Sequence, residues 1–177
     1  LGRIRLDQVS KELAASVLVA RASGNLSLEK HDQASVLLRR YLQEHPDGTD
    51  EQRVRSDLAL ALIRQDQTEK ALNIIEPLLD ASPSVESERI GLMLADNFYS
   101  HRQFEPARRL YTWLSHAETR ETRARALAGL GWSLLKSGKA NLATTTFEQF
   151  MAEFDDHPKA QVVRLAWGRS LEQMRRW

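Results

Sequence analysis

Cysteine is missing altogether from this chain of 177 residues, which excludes disulfides, thiolate metal sites and cysteine nucleophiles together. A cysteine-free chain suits an oxidising space, where stray thiols mispair, and is also common in the cytosol. Net charge is nearly missing too. With 25 Lys and Arg against 24 Asp and Glu, there is no general electrostatic case for nucleic acid, which calls for a clearly basic domain. Hydrophobic residues make up 42% but are spread out, and no run approaches the roughly 18 apolar residues of a membrane-spanning helix. Strand signals are equally scarce, because β-branched and aromatic residues never alternate with polar ones over a useful length. The chain opens on Leu1 rather than methionine and shows no signal-peptide pattern, so it reads as an excised segment or a mature product.

What the sequence does have is apolar residues at three- and four-residue spacing nearly throughout, which predicts an all-helical chain. Breakers fall at intervals: His45-Pro46-Asp47-Gly48, Ala81-Ser82-Pro83, the polar stretch around Ala117 to Thr119, and Asp155-Asp156-His157-Pro158. Thr49 to Gln52 has capping-box spacing, and Ser82-Pro83 suits an N-cap followed by a first helical turn. The helices come in pairs and the pairs repeat. The alanines opening each second helix, Ala34, Ala71, Ala107 and Ala143, are separated by 37, 36 and 36 residues, a solenoid period. Four residues after each stands a large side chain: Leu38, Ile75, Tyr111 and Phe147.

On these residues the chain resembles the tetratricopeptide repeat family, in which a Leu-Gly step in the first helix pairs with an Ala-x3-Phe step in the second. The fourth unit carries the pattern as Leu127, Leu130-Gly131 and Leu134, then Ala143 and Phe147. The second has Leu58-Ala59, Leu62, Ala71, Ile75 and Pro83; the third has Leu94-Ala95, Phe98, Ala107 and Tyr111. The first fits at Leu18, Ala22, Ala34, Leu38 and Pro46, with Arg21 and Asn25 where apolar residues are expected. After Pro158, Trp167-Gly168 and Leu171 restart the pattern as a lone first helix. The resemblance implies an all-α, right-handed superhelical solenoid of about four helix pairs plus a C-terminal helix. As a single array, 1–177 divides into units 7–48, 49–83, 84–118 and 119–157, with a terminal helix at 159–175. The period exceeds the family's usual ~34 residues, and Pro77 is expected to kink or shorten its helix.

Several motifs have a chemical and a structural reading. Gly129 and Gly131 resemble the start of a dinucleotide loop, but Leu134 stands where a third glycine is needed and no strand precedes them. The register instead puts Gly131 at the small residue where two helices of one unit pack closely, equivalent to Ala22, Ala59, Ala95 and Gly168. Gly129 is expected towards the groove, leaving room for a ligand beside Trp132. Ser133 and Lys136, like Ser27 and Lys30, have the SxxK spacing of serine acyl-enzymes without the companion elements. The five histidines, His31, His45, His101, His116 and His157, form no i,i+4 pair for zinc. Asn25-Leu26-Ser27 is a formal glycosylation sequon inside a predicted helix. Phe98, Tyr111, Phe147 and Phe150 have core spacing. With no convergent nucleophile, base and orienter, the chain reads as non-enzymatic and needs no metal or cofactor.

One constellation stands out. Arg53, Arg89 and Arg125 lie 36 residues apart, each near the start of a first helix, and the resemblance implies that first helices line a concave groove. The three would form a ladder for carboxylates or phosphates. Alternatively each pairs with a local acid such as Asp50, Glu86 or Glu121. The same register adds Leu60, Ile63 and Arg64, then Leu92, Asp96 and Tyr99, then Trp132, Leu135 and Lys136. An aromatic and aliphatic strip flanked by basic residues suits an extended or helical peptide. The paired lysines and asparagines of carboxylate-gripping relatives have no match here.

The expected function is therefore an interaction scaffold that binds a protein or peptide segment in its groove. The alternative is a module that guides an anionic exopolysaccharide or recruits its modifying enzyme. Phe147-x2-Phe150 before Pro158 and Leu38-x2-Tyr41 before Pro46 are similar to repeats of bacterial envelope proteins, which implies the periplasm or an envelope or secretion assembly, with the cytoplasm as the alternative. Open solenoid ends also permit self-association.

Overall fold

The structure, a computed structural model, describes residues 2–81 and 84–175. Among the described residues every regular element is a helix: α1 (Gly2–Ser27), α2 (His31–Glu44), α3 (Glu51–Arg64), α4 (Thr68–Ala81), α5 (Val85–Ser100), α6 (Phe104–Leu114), α7 (Arg120–Lys136), α8 (Ala140–Glu153) and α9 (Ala160–Arg175). The chain falls into two compact units, Leu1–Ser82 with α1–α4 and Pro83–Trp177 with α5–α9. In each unit every helix packs on its chain neighbour. In the second unit the first helices also touch directly, α5 against α7 and α7 against α9.

The core is built from the repeating residues. Ala34, Ala71, Ala107 and Ala143 are fully buried. So are Leu38, Ile75, Tyr111 and Phe147 four residues later, one helical turn along the same face. Phe98 and Phe150 are buried as their spacing predicts. The small residue opposite is what lets the aromatic in. At Gly131 an added β-carbon would lie 2.3 Å from Cε1 of Phe147.

The first helices α1, α3, α5 and α7 close in the same way. Glu29, Asp66, Arg102 and Gly138 all take left-handed backbone, with φ of 58, 59, 61 and 74°. The amide of the residue after each, in Lys30, Gln67, Gln103 and Lys139, donates back five residues to Asn25, Leu62, Phe98 and Leu134 at 2.8–2.9 Å. These bonds satisfy carbonyls left over at a helix C-terminus. The turns recur at the period of the core alanines, but only the fourth uses the residue that pays no steric penalty there.

Helix starts differ from the sequence expectation. Thr49 to Gln52 does not form a capping box: Asp50 is the N-cap of α3 and its side chain makes no cap hydrogen bond. Ser82-Pro83 lies outside the described residues, and α5 is capped by Ser84. The Ser84 Oγ accepts from the Ser87 amide at 3.1 Å while the Ser84 amide donates to Ser87 Oγ at 2.8 Å. Pro77 stands inside α4, which continues through it to Ala81.

Candidate functional site

In the second unit the first helices bring the expected residues onto neighbouring turns. Asp96 on α5 is the hub. Its Oδ2 accepts from Arg125 Nη2 on α7 at 2.8 Å, and its Oδ1 accepts from the Tyr111 hydroxyl on α6 at 2.6 Å. One carboxylate thus ties three helices together. Tyr111 is buried, and its phenol is pushed well above the usual tyrosine range, first by burial and then by the Asp96 charge. Tyr99, half-buried and edge-on to Phe104 with centroids 5.6 Å apart, is also raised by burial.

Of the three arginines, two already hold carboxylates. Arg89 makes a forked pair with Glu86, 3.0 Å from Nε and 2.6 Å from Nη2, and this bond lowers the Glu86 carboxyl. Arg125 bypasses Glu121, the expected local acid, and pairs with Asp96 across helices. Glu121 instead accepts from His157 Nε2 at 3.0 Å. Arg53, in the first unit, is exposed and makes no ion pair among the described residues. Its helix neighbour Arg55 pairs with Glu51 at 2.8 Å. The local alternative therefore describes Arg89, while Arg125 belongs to a network and Arg53 to neither.

The apolar strip is smaller than expected. Leu92 and Ile63 are 3% and 9% exposed; they face the core, because their positions fall on the arc that meets the second helices. Leu60 is half-buried, and Arg64 and Lys136 are exposed. Trp132 is half-buried, packed against the α7–α8–α9 core, with the Lys159 ammonium 5.9 Å from its ring centroid. Gly129 does not open onto free space: an added β-carbon would lie 2.5 Å from the Tyr111 ring. It is the seat for the tyrosine that holds Asp96, so the room expected beside Trp132 is filled.

Sequence reasoning missed Lys159 and the Tyr111–Asp96 bond. It also missed Glu88, buried in α5, whose Oε1 accepts from the Glu118 amide at 3.1 Å. No pattern in the chain announces these, since each joins residues of different elements. Among the described residues no group of three His, Asp or Glu side chains is arranged to hold a metal ion. None of the described helices is long and apolar enough to cross a membrane.

Residues 25–96 match the family model described as tetratricopeptide repeat. No curated protein matches the chain. Among solved structures it is similar to pilF of Pseudomonas aeruginosa, with TM-score 0.57 and 21% identity over 94% of this chain and 72% of that one. A mutant form of MamA has TM-score 0.65 and 18% identity over 93% and 85%. The nearly identical TPR-like repeats described for a Podosopora anserina kinesin light chain have TM-score 0.59 and 15% identity over 91% and 87%. At these identities the likeness is one of fold.

Proposed function

We propose that this chain, whose residues 25–96 match the tetratricopeptide repeat model, is a non-enzymatic scaffold whose first-helix face binds a segment of another protein. The observation that carries this reading is the juxtaposition of Arg125, held by Asp96 on the neighbouring first helix, with exposed Lys136 and half-buried Trp132 on the same helix. A half-buried tryptophan packed against the core is the kind of anchor that dominates peptide interfaces. The first unit offers Arg53, Leu60 and Arg64 in the corresponding register.

A protein segment is preferred over an anionic polysaccharide for a specific reason. A polymer that follows charge needs cations at regular spacing, and the 36-residue series is broken at its middle member, where Arg89 is held in a forked pair by Glu86 of its own helix. A setting in a bacterial envelope or secretion assembly belongs to this proposal, and only the repeat endings noted above support it.

The test places a photo-crosslinking residue at Trp132 and, as a control, at exposed Thr145 on α8. A protein captured at position 132 but not at 145 is the expected result. Trp132→Ala should then lower that partner's affinity by about tenfold or more with helicity unchanged. Capture of glycan alone, or equal capture from both positions, would overturn the reading.

A further inference from the structure

The last helix presents two faces. One, carrying Ala160, Val163, Ala166 and Ser170, is buried, and Ser170 Oγ accepts from Thr144 on α8 at 2.8 Å. On the opposite side lie Arg164, Leu165, Gly168, Leu171 and Glu172, within an arc of roughly 120° at 100° per residue. Leu165 and Leu171 are 66% and 39% exposed, and Arg164 and Glu172 make no ion pair among the described residues. Gly168 corresponds in the repeat to Gly131, which is filled by Phe147, yet an added β-carbon at Gly168 would meet nothing within 4 Å. A glycine inside a helix costs about 1 kcal/mol relative to alanine, and no contact among the described residues uses it.

The order of residues on this face is its own complement. In an antiparallel pair of α9 helices centred on Gly168, Arg164 of one copy stands opposite Glu172 of the other, four residues to either side of the centre. Leu165 stands opposite Leu171, three to either side. The glycines meet at the two-fold axis, where the missing side chains let the backbones approach at the short end of the usual 8–10 Å helix spacing. Each opposition occurs twice, as an isologous interface requires. We propose that the chain pairs with a second copy of itself through this face of α9. The symmetric order of charges about the glycine is what favours a second copy over a partner of different sequence.

Sedimentation of the whole chain across a concentration series tests this. The expected mass rises from the 20.2 kDa chain mass towards twice that value and stops there. Arg164→Glu alone and Glu172→Arg alone should each weaken pairing by about tenfold or more by setting like charges together, and the double reversal should restore it. Since the chain has no cysteine, Gly168→Cys supplies a single thiol, which should link to its symmetry mate under mild oxidation, whereas Gln173→Cys should not. A monomer at every concentration, masses that grow beyond two chains, or reversals that leave the mass unchanged would each overturn the proposal. Circular dichroism of every variant separates loss of pairing from loss of fold.

Discussion

Gly131 and Phe147 are matched so closely that a single methyl group at position 131 would overlap the phenyl ring, 2.3 Å from Cε1. The ring is fully buried, in a core too close-packed to let it swing aside. Gly131→Ala therefore sets two effects against each other. The helix gains about 1 kcal/mol of propensity and overpacking costs typically 1–3 kcal/mol; here the overlap is deep, and the loss wins. Urea denaturation should show net destabilisation of about 1–2 kcal/mol. Gly24→Ala is the control, because an added β-carbon there meets nothing within 4 Å, and it should stabilise by about 0.5–1 kcal/mol. Equal effects at the two sites would refute the packing account.

Arg102 closes α5 with a φ of 61°, backbone that costs an L-residue roughly 1–2 kcal/mol. The equivalent turn after α7 uses Gly138. Replacing Arg102 by glycine removes that strain but adds freedom to the unfolded chain, which returns part of the gain. Arg102→Gly should raise stability by up to about 1 kcal/mol, seen as a higher denaturation midpoint. A decrease would mean that the arginine side chain contributes more than its backbone costs.

Tyr111 makes alkaline stability informative. Its folded-state value lies above the ordinary 10.0, so the native chain keeps the phenol protonated where the unfolded chain releases it. The stabilisation is fully present below pH 10 and is lost as pH rises past that value, because only the unfolded state then gives up the proton. Denaturation midpoints of the parent chain between about pH 8 and 11 should fall more steeply than those of Tyr111→Phe. Parallel slopes would show that the hydroxyl titrates normally.

The fold was legible because its signals are local and repeated. Alanine, a large side chain four residues on, and a breaker before the next pair suffice to place helices, since each answers to one helix face. What escaped notice depended on neighbours. Glu29, Asp66 and Arg102 adopt the same left-handed turn as Gly138; aspartate tolerates that backbone, but nothing in the residue types Glu and Arg announces it. Register alone places Gly129 towards open space, because it cannot tell that Tyr111, eighteen residues earlier, fills it. Leu92 and Ile63 show the same limit, since a helix drifts in phase and one residue of error turns a groove position into a core one.

Asp96 serves two partners unequally. Arg125 and Asp96 are 39% and 50% exposed, so water competes for both and the pair should be worth less than about 1 kcal/mol. The Tyr111 hydroxyl is buried and donates to a charged oxygen at 2.6 Å, a bond of about 1.5–3 kcal/mol. Double-mutant cycles should rank them accordingly, with the coupling of Asp96→Ala to Tyr111→Phe exceeding that to Arg125→Ala, both read from urea denaturation. The ranking bears on binding. A weakly held Arg125 can exchange Asp96 for a carboxylate on an incoming segment at little cost, while Tyr111 keeps Asp96 in place. If the arginine coupling proved the larger, Arg125 would be a structural clamp, and the binding role proposed for it would pass to Trp132 and Lys136.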